Sequence, residues 1–432
     1  MTSDSTAKLK GGSAREYFMS RRFITDNSLA WIAGAISAAL ATSGGLLFAL
    51  RRQVDFSVYL NGAEHLFSNR LYQVRLSPGP HLHFTYPPFA ALVFDPLTFV
   101  PATVAQALWT LVNLAALYAI LYLPLRAVAS AAPTRLLVLL ALIAMAPVFR
   151  LDPVRQTFSY GQVNLVLAAL VLFDVTSQLK IGKISLPRGV LIGIASAIKL
   201  TPLIFIVYLF VTRRARAACV ALATFAVLSV ITAALNPRAS WFYWTKYVTD
   251  ANRIGTPYFI SNQSVRAVAD RVDHSIVATT LVLVLSAIVL VSGILIASWA
   301  FRTSSDLLGV LVCATTGLLA SPVTWDHHLV WVVPVIVWLA SSPDRPAFGR
   351  VWAIITAALF WLAPIWAVPH GHGAELGEND GQLLVGNSFF IAMGFFMAGV
   401  TAMLVLRRQR FLQDEQPDIT TPQPSPAPSE PG

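Results

Sequence analysis

The chain has 432 residues, 56% of them hydrophobic and only 12% charged, with a mean hydropathy of +0.64. A soluble domain carries about 25% charged residues, so this composition argues against a soluble globular protein and, away from the ends, against intrinsic disorder. The net charge of +10 comes from basic residues scattered in twos and threes between apolar runs, a pattern that reports membrane topology and fits nucleic-acid binding poorly.

About 20 mostly apolar residues are needed to cross roughly 30 Å of hydrocarbon. Residues 1–28 are polar and basic, unlike a secretion signal. Runs long enough to span follow at 29–50, 102–125, 161–179, 215–235, 276–300, 325–341, 350–368 and 386–406, with shorter ones at 134–149 and 305–320. Cys219 and Cys313, the two cysteines, lie inside such runs and offer neither a disulfide framework nor a Cys-based metal site. The run 189–212 is interrupted by Lys199-Leu200-Thr201-Pro202. Proline removes a backbone donor and disfavours helix in the residue before it, and a lysine at membrane depth points to function. With the basic N-terminus inside, one unbroken span would place Arg213, Arg214 and Arg216 outside; a hairpin of two half-helices returns them inside. The expected architecture is an all-α polytopic membrane protein with about ten full spans plus a pair of half-helices at Lys199–Pro202, both termini cytoplasmic. The membrane domain runs over 29–406, with outer loops 51–101, 150–160, 236–275 and 369–385. A cytoplasmic tail, 407–432, is Pro-rich and acidic at its end and cannot bury a core.

In this topology all eight histidines fall on the outer side: His65, His81, His83, His274, His327, His328, His370 and His372. The inner loops are short and plain, so chemistry is expected at the outer face, although histidine is also a common polar loop residue. Asp55 follows the first span, and Phe56–Leu66 reads as an amphipathic helix at the membrane surface. Asp55 is either an N-cap or a general base made stronger by partial burial. Glu64 reads as solvated. His81 and His83 are spaced i, i+2, which alone does not make a metal site. The run 89–100, after Pro87 and Pro88, is too short to span and lies on or dips into the membrane.

Arg150 and Arg155 are able to hold an anionic phosphate. Gln162 and Asn164 open the run 161–179, where they either pack against a neighbouring helix or face a cavity. Trp241, Phe242, Tyr243, Trp244 and Tyr247 form an interfacial aromatic belt whose faces also suit sugars. Ser261-Asn262-Gln263-Ser264 supplies hydrogen-bonding groups for a hydroxyl-rich ligand. Asp326, His327 and His328 open a further apolar helix; adjacent helical residues point about 100° apart, so the two histidines cannot both face one site fully.

Six motifs then resemble a known family: Val54-Asp55-Phe56 with Tyr59; Phe84-Thr85-Tyr86-Pro87-Pro88-Phe89; Phe158-Ser159-Tyr160-Gly161-Gln162-Val163-Asn164; Lys199-Leu200-Thr201-Pro202; Ser261-Asn262-Gln263-Ser264; and Ser321-Pro322-Val323-Thr324-Trp325-Asp326-His327-His328. Together, over about residues 50 to 340, they look like glycosyltransferase family 87, actinobacterial enzymes of the GT-C fold that use polyprenyl-phosphate sugars. The likeness is greatest to the mycobacterial α-(1→2)-mannosyltransferases, especially the branch that extends phosphatidylinositol mannosides, although Asp326 stands where that pattern has a neutral residue.

The resemblance implies a polyprenyl-phosphate-mannose donor and a glycolipid acceptor, a phosphatidylinositol mannoside. It implies Asp55 as general base, with Lys199 and one of His327 and His328 on the leaving phosphate and Arg150 and Arg155 as second choices. Tyr59, Tyr86, Gln162, Asn164, Asn262 and Gln263 would bind substrate, with no metal and no cofactor. Within the enzyme class the rivals are α-(1→2) branching of lipomannan or lipoarabinomannan and arabinofuranosyl transfer from decaprenyl phosphate. Outside it the rival is a secondary transporter, disfavoured because the spans hold little charge besides Lys199 and Asp174 and because no internal repeat is visible.

Overall fold

The structure, a computed structural model, describes residues 27–76, 82–177, 180–181, 184–250, 253–272 and 276–414. In chain order, α1 (Ser28–Ala49) is followed by the short α2 (Val54–Glu64) and α3 (Pro88–Phe94), the last extended by a 3-10 turn to Phe99. The long α4 (Ala102–Val128) returns, and α5 (Thr134–Phe149) meets α6 (Asp152–Tyr160) at a bend of 78°. Next come α7 (Asn164–Thr176), then α8 (Val190–Ile198) and α9 (Leu203–Val211), broken apart at Lys199–Pro202. The chain continues through α10 (Ala215–Leu235), α11 (Pro237–Phe242) with a π turn to Tyr247, α12 (Val265–Val272), α13 (Ile276–Thr303) and α14 (Asp306–Ala320). A 3-10 turn over Asp326–Trp331 opens α15 (Val332–Ser341); α16 (Gly349–Leu362), α17 (Asp380–Gly386) and α18 (Ser388–Asp414) complete the order.

Several expectations are corrected in detail. The all-α class holds, with one short exception among the described residues: Lys180–Ile181 pairs antiparallel with Ile184–Ser185 between α7 and α8. Among the described residues, α1, α4, α10, α13, α16 with its 3-10 extension to Ala367, and α18 are long and apolar enough to cross a membrane, and the bent pair α5–α6 adds a seventh at most. The run 161–179 forms only α7, whose 13 residues reach about 20 Å at 1.5 Å each. The run 305–320 forms α14, which has buried residues on every side. Both are apolar all round because protein surrounds them, and hydropathy does not separate that from contact with lipid. The run 325–341 is divided by its 3-10 turn. At the C-terminal end α18 continues beyond 406 to Asp414. Residues 1–26, 415–432, His81 and His274 lie outside the described residues.

α2 also differs from expectation. It starts at Val54 rather than Phe56, and Phe56, Val58, Tyr59, Gly62 and Ala63 are buried in the protein instead of lying on a membrane surface. Phe56 stacks on Trp109 of α4 and Tyr59 on Phe94 of α3. The start of α2, the α6–α7 joint, the α8–α9 break and the 3-10 turn at Asp326 converge, and their polar side chains meet there.

Candidate active site

Asp55 occupies the first turn of α2 but does not cap it. The N-cap is Gln53, whose side chain donates to the Phe158 carbonyl (2.8 Å) and to Thr110 Oγ1 (3.4 Å), tying the start of α2 to α6 and α4. α6 ends on Gly161 in the left-handed region, φ +71°, where a Cβ would fall 2.6 Å from Phe56 Cβ. Only glycine allows the chain to turn this tightly against α2, and the turn delivers Gln162 to Asp55.

Gln162 joins two groups of side chains. Its Nε2 donates to Asp55 Oδ2 at 2.6 Å. Its Oε1 accepts from the hydroxyls of Tyr59 (2.8 Å) and Tyr86 (3.2 Å) and, more distantly, from Asn164 Nδ2 (3.5 Å). Asn164 Nδ2 also donates to the His327 carbonyl (3.1 Å), and Asn164 Oδ1 accepts from Lys199 Nζ (3.0 Å). Lys199 Nζ lies 3.0 Å from His328 Nε2 and 5.3 Å from the centre of the Tyr86 ring. A continuous network therefore runs from the Asp55 carboxylate to the Lys199 ammonium. Asp55, Tyr86, Lys199 and His328 are partly open, whereas Tyr59, Gln162, Asn164 and His327 are buried behind them. Burial pushes the Asp55 carboxyl above its ordinary range, against the opposing effects of His327, the Gln162 hydrogen bond and Lys199. Burial likewise raises the Tyr86 phenol, which therefore serves as a neutral hydrogen-bonding group.

The proton inventory at the Lys199 end is informative. The backbone N–H of Trp325 donates to His328 Nδ1 at 3.3 Å. A neutral ring accepting there carries its proton on Nε2, the atom that faces the lysine. Two donors then converge on the same space, an arrangement suited to an anion lying against both.

A further group of polar side chains packs behind this network. Asp326 Oδ1 accepts from Ser261 Oγ (2.6 Å) and sits 3.2 Å from His327 Nδ1; the His327 ring lies 5.5 Å from that of Tyr160. His327 is buried and His328 partly open, so the structure divides the pair as helical geometry requires. Asp152 is held by Arg155 (2.6 Å) and Trp366 (3.3 Å).

Two groups of expected site residues are placed away from the network. Arg155 is engaged by Asp152, and with Arg150 it lines a separate cavity of about 490 Å³ beside Trp361 and Trp366, away from the Asp55–Lys199 network. Asn262 and Gln263 are 0% exposed. Asn262 donates to the Pro257 carbonyl and accepts from the Thr324 N–H. Gln263 donates to the Ile260 and Gly386 carbonyls and accepts from the Phe390 N–H. Their polar atoms are engaged in bracing loops. His83 contacts Arg75, and among the described residues no three His, Cys, Asp or Glu side chains gather as a metal site. Sequence reasoning missed Gln53 and Trp366; an amide and an indole carry no signal until their partners are known.

A model of glycosyltransferase family 87 matches residues 84–322. The chain belongs to glycosyltransferase family 87. Two relatives are named polyprenol-phosphate-mannose-dependent α-(1-2)-phosphatidylinositol pentamannoside mannosyltransferase. That of Mycobacterium tuberculosis (strain CDC 1551 / Oshkosh) is 36% identical over 325 residues, 72% of this chain and 72% of the relative. That of Mycolicibacterium smegmatis is 36% identical over 299 residues, 67% of this chain and 70% of the relative. A third, of M. tuberculosis (strain ATCC 25618 / H37Rv), is named polyprenol-phosphate-mannose-dependent α-(1-2)-phosphatidylinositol mannoside mannosyltransferase; it is 34% identical over 304 residues, 66% of this chain and 69% of the relative. No solved structure matches the chain. The family-87 match includes Tyr86, Gln162, Asn164, Lys199, Asn262 and Gln263 but begins after Asp55 and ends before His327 and His328, so the structure is what joins those three to the rest.

Proposed function

We propose that this chain is an inverting mannosyltransferase. It moves mannose from polyprenyl-phosphate-mannose to a mannose hydroxyl of a phosphatidylinositol mannoside, forming an α-(1→2) linkage. The observation that carries the reading is the network Asp55–Gln162–Asn164–Lys199, with a carboxylate at one end and a cation beside an imidazole at the other. Asp55 takes the proton of the acceptor hydroxyl as its oxygen attacks the anomeric carbon. The bond from that carbon to the phosphate oxygen breaks on the opposite face, so a β donor yields an α product. The phosphate leaves with the electron pair and gains negative charge. Lys199 and His328 donate hydrogen bonds to it, stabilising the charge where it develops. Gln162 and Asn164 fix the distance between the two ends, and Tyr59 and Tyr86 fix Gln162.

The orientation that suits this chemistry places both termini in the cytoplasm and the site at the periplasmic face of the cell membrane, on a GT-C scaffold with the α8–α9 hairpin tip reaching the site. The basic residues flanking the spans support that orientation. Purified Asp55→Asn, beside wild type, tests the function with mannosyl-phosphoryl-polyprenol and a short phosphatidylinositol mannoside. Loss of transfer with donor binding retained is expected; full activity in the variant would remove Asp55 from the chemistry.

A further inference from the structure

Three cavities that share lining residues lead from His328, the neighbour of Lys199, to the outside of the bundle. The first, about 50 Å³, touches Asn164 and His328 at one end and Leu318 and Trp331 at the other. The second, about 40 Å³, begins on the same Leu318 and Trp331 and ends on Trp352, Thr356 and Ala392. Those three residues also line the third, an apolar groove of about 640 Å³ between α16 and α18. The groove is flanked by exposed Phe348, Ile355 and Phe395. Its floor depends on Gly399, where a Cβ would fall 2.4 Å from the Trp352 ring.

We propose that this series of cavities is the path of the donor's isoprenoid chain, which leaves the phosphate at Lys199 and His328, passes Trp331 and Trp352, and emerges in the groove between α16 and α18. The assignment rests on the lipid-linked donor proposed above. Its basis is a gradient of polarity that matches the ligand: an amide and an imidazole at the inner end with Lys199 3.0 Å beyond the imidazole, mostly apolar side chains along the way, and an opening on two helices apolar enough to face lipid. A hydroxyl-rich acceptor head does not fit that gradient. The two inner cavities are narrow, and one indole stands at each junction: Trp331, packed on Phe205, and Trp352, packed on Phe348 and Phe396. Rotation of these rings opens the way to the chain.

Ala392→Phe and Thr356→Phe fill the second junction without touching the polar network. Each is assayed with a long-chain polyprenyl-phosphate-mannose and with a short citronellyl-phosphate-mannose that ends before Trp352. The expected result is a loss of about tenfold or more in kcat/KM with the long donor, the scale of a few displaced methylenes, and values within about twofold of wild type with the short one. Equal activity on both donors, or equal loss on both in variants that unfold as wild type does, would overturn the proposal. So would a loss that follows the acyl chains of the acceptor rather than the chain of the donor. Should the variants fail to fold, a photoreactive isoprenoid donor is cross-linked to the wild-type protein. Label on peptides of α16 and α18 is expected, and label confined to α1 or α10 would overturn the path. Wild-type protein inactive with both donors refutes the donor itself, a different outcome from a misplaced chain.

Discussion

Gln162 has one amide and two obligations. Because its Oε1 receives the hydroxyls of Tyr59 and Tyr86, its Nε2 has to face the Asp55 carboxylate. That bond and the Lys199 charge favour the ionised base, while burial opposes it more strongly. The rate therefore rises with pH through an Asp55 pKa above the ordinary carboxylate range, and Gln162→Leu moves the rise to still higher pH; kcat/KM measured against pH checks both. Stability has the opposite dependence. A carboxyl that holds its proton more tightly when folded contributes stability at acid pH, which is lost as pH rises through the folded pKa. For Asp55→Asn we expect turnover to fall by about 10²-fold or more with unfolding no less cooperative. Asp55, Lys199 and the two histidines were legible in the sequence because titratable groups beside apolar runs need a reason. Gln162 and Asn164 were legible only as an alternative between packing and cavity, because tertiary structure chooses the partner of an amide.

Short connecting segments rather than long helices position the chemistry. The loop holding Asn262 and Gln263 is stitched to the 3-10 turn at Asp326 and to the ends of α17 and α18. Gln263→Ala leaves three backbone groups without their partner. At about 1–3 kcal/mol for each unsatisfied buried group, thermal unfolding in detergent is expected several degrees lower with the acceptor KM unchanged. A raised KM at unchanged stability would return Gln263 to the substrate. Gly161→Ala combines a positive φ with a clash against Phe56 and is expected to lower both stability and kcat, read by unfolding and by turnover at saturating donor. At this scale the sequence marked the right segments but misjudged lengths. A buried 13-residue apolar helix shares a hydropathy profile with a span, and a helix packed inside the protein with a membrane-surface helix, and only the surrounding chain distinguishes them.

Across the whole molecule, the break at Lys199–Pro202 was readable from a lysine, a proline and the arginines beyond them, and the structure ends α8 and starts α9 on either side of it. The membrane orientation of these two half-helices is directly measurable. In a Cys219→Ala background, which removes the exposed native thiol and keeps the buried Cys313, Leu200→Cys is expected to react with an impermeant maleimide from outside and Arg214→Cys only after the inner face is opened. Reaction of both from outside would replace the hairpin by a single span.

The two donors facing each other at 3.0 Å, Lys199 and His328, bear on the tempo of the cycle. The hydrogen bonds proposed from both to the leaving phosphate persist after transfer, so the spent carrier is expected to leave slowly. Turnover is then expected to be limited by discharge of the used lipid rather than by sugar transfer. A rapid first round followed by a slower steady state is expected on mixing, with free polyprenyl phosphate slowing that steady state in competition with the charged donor. A cell would run such an enzyme at the rate at which it clears and recharges its lipid carriers.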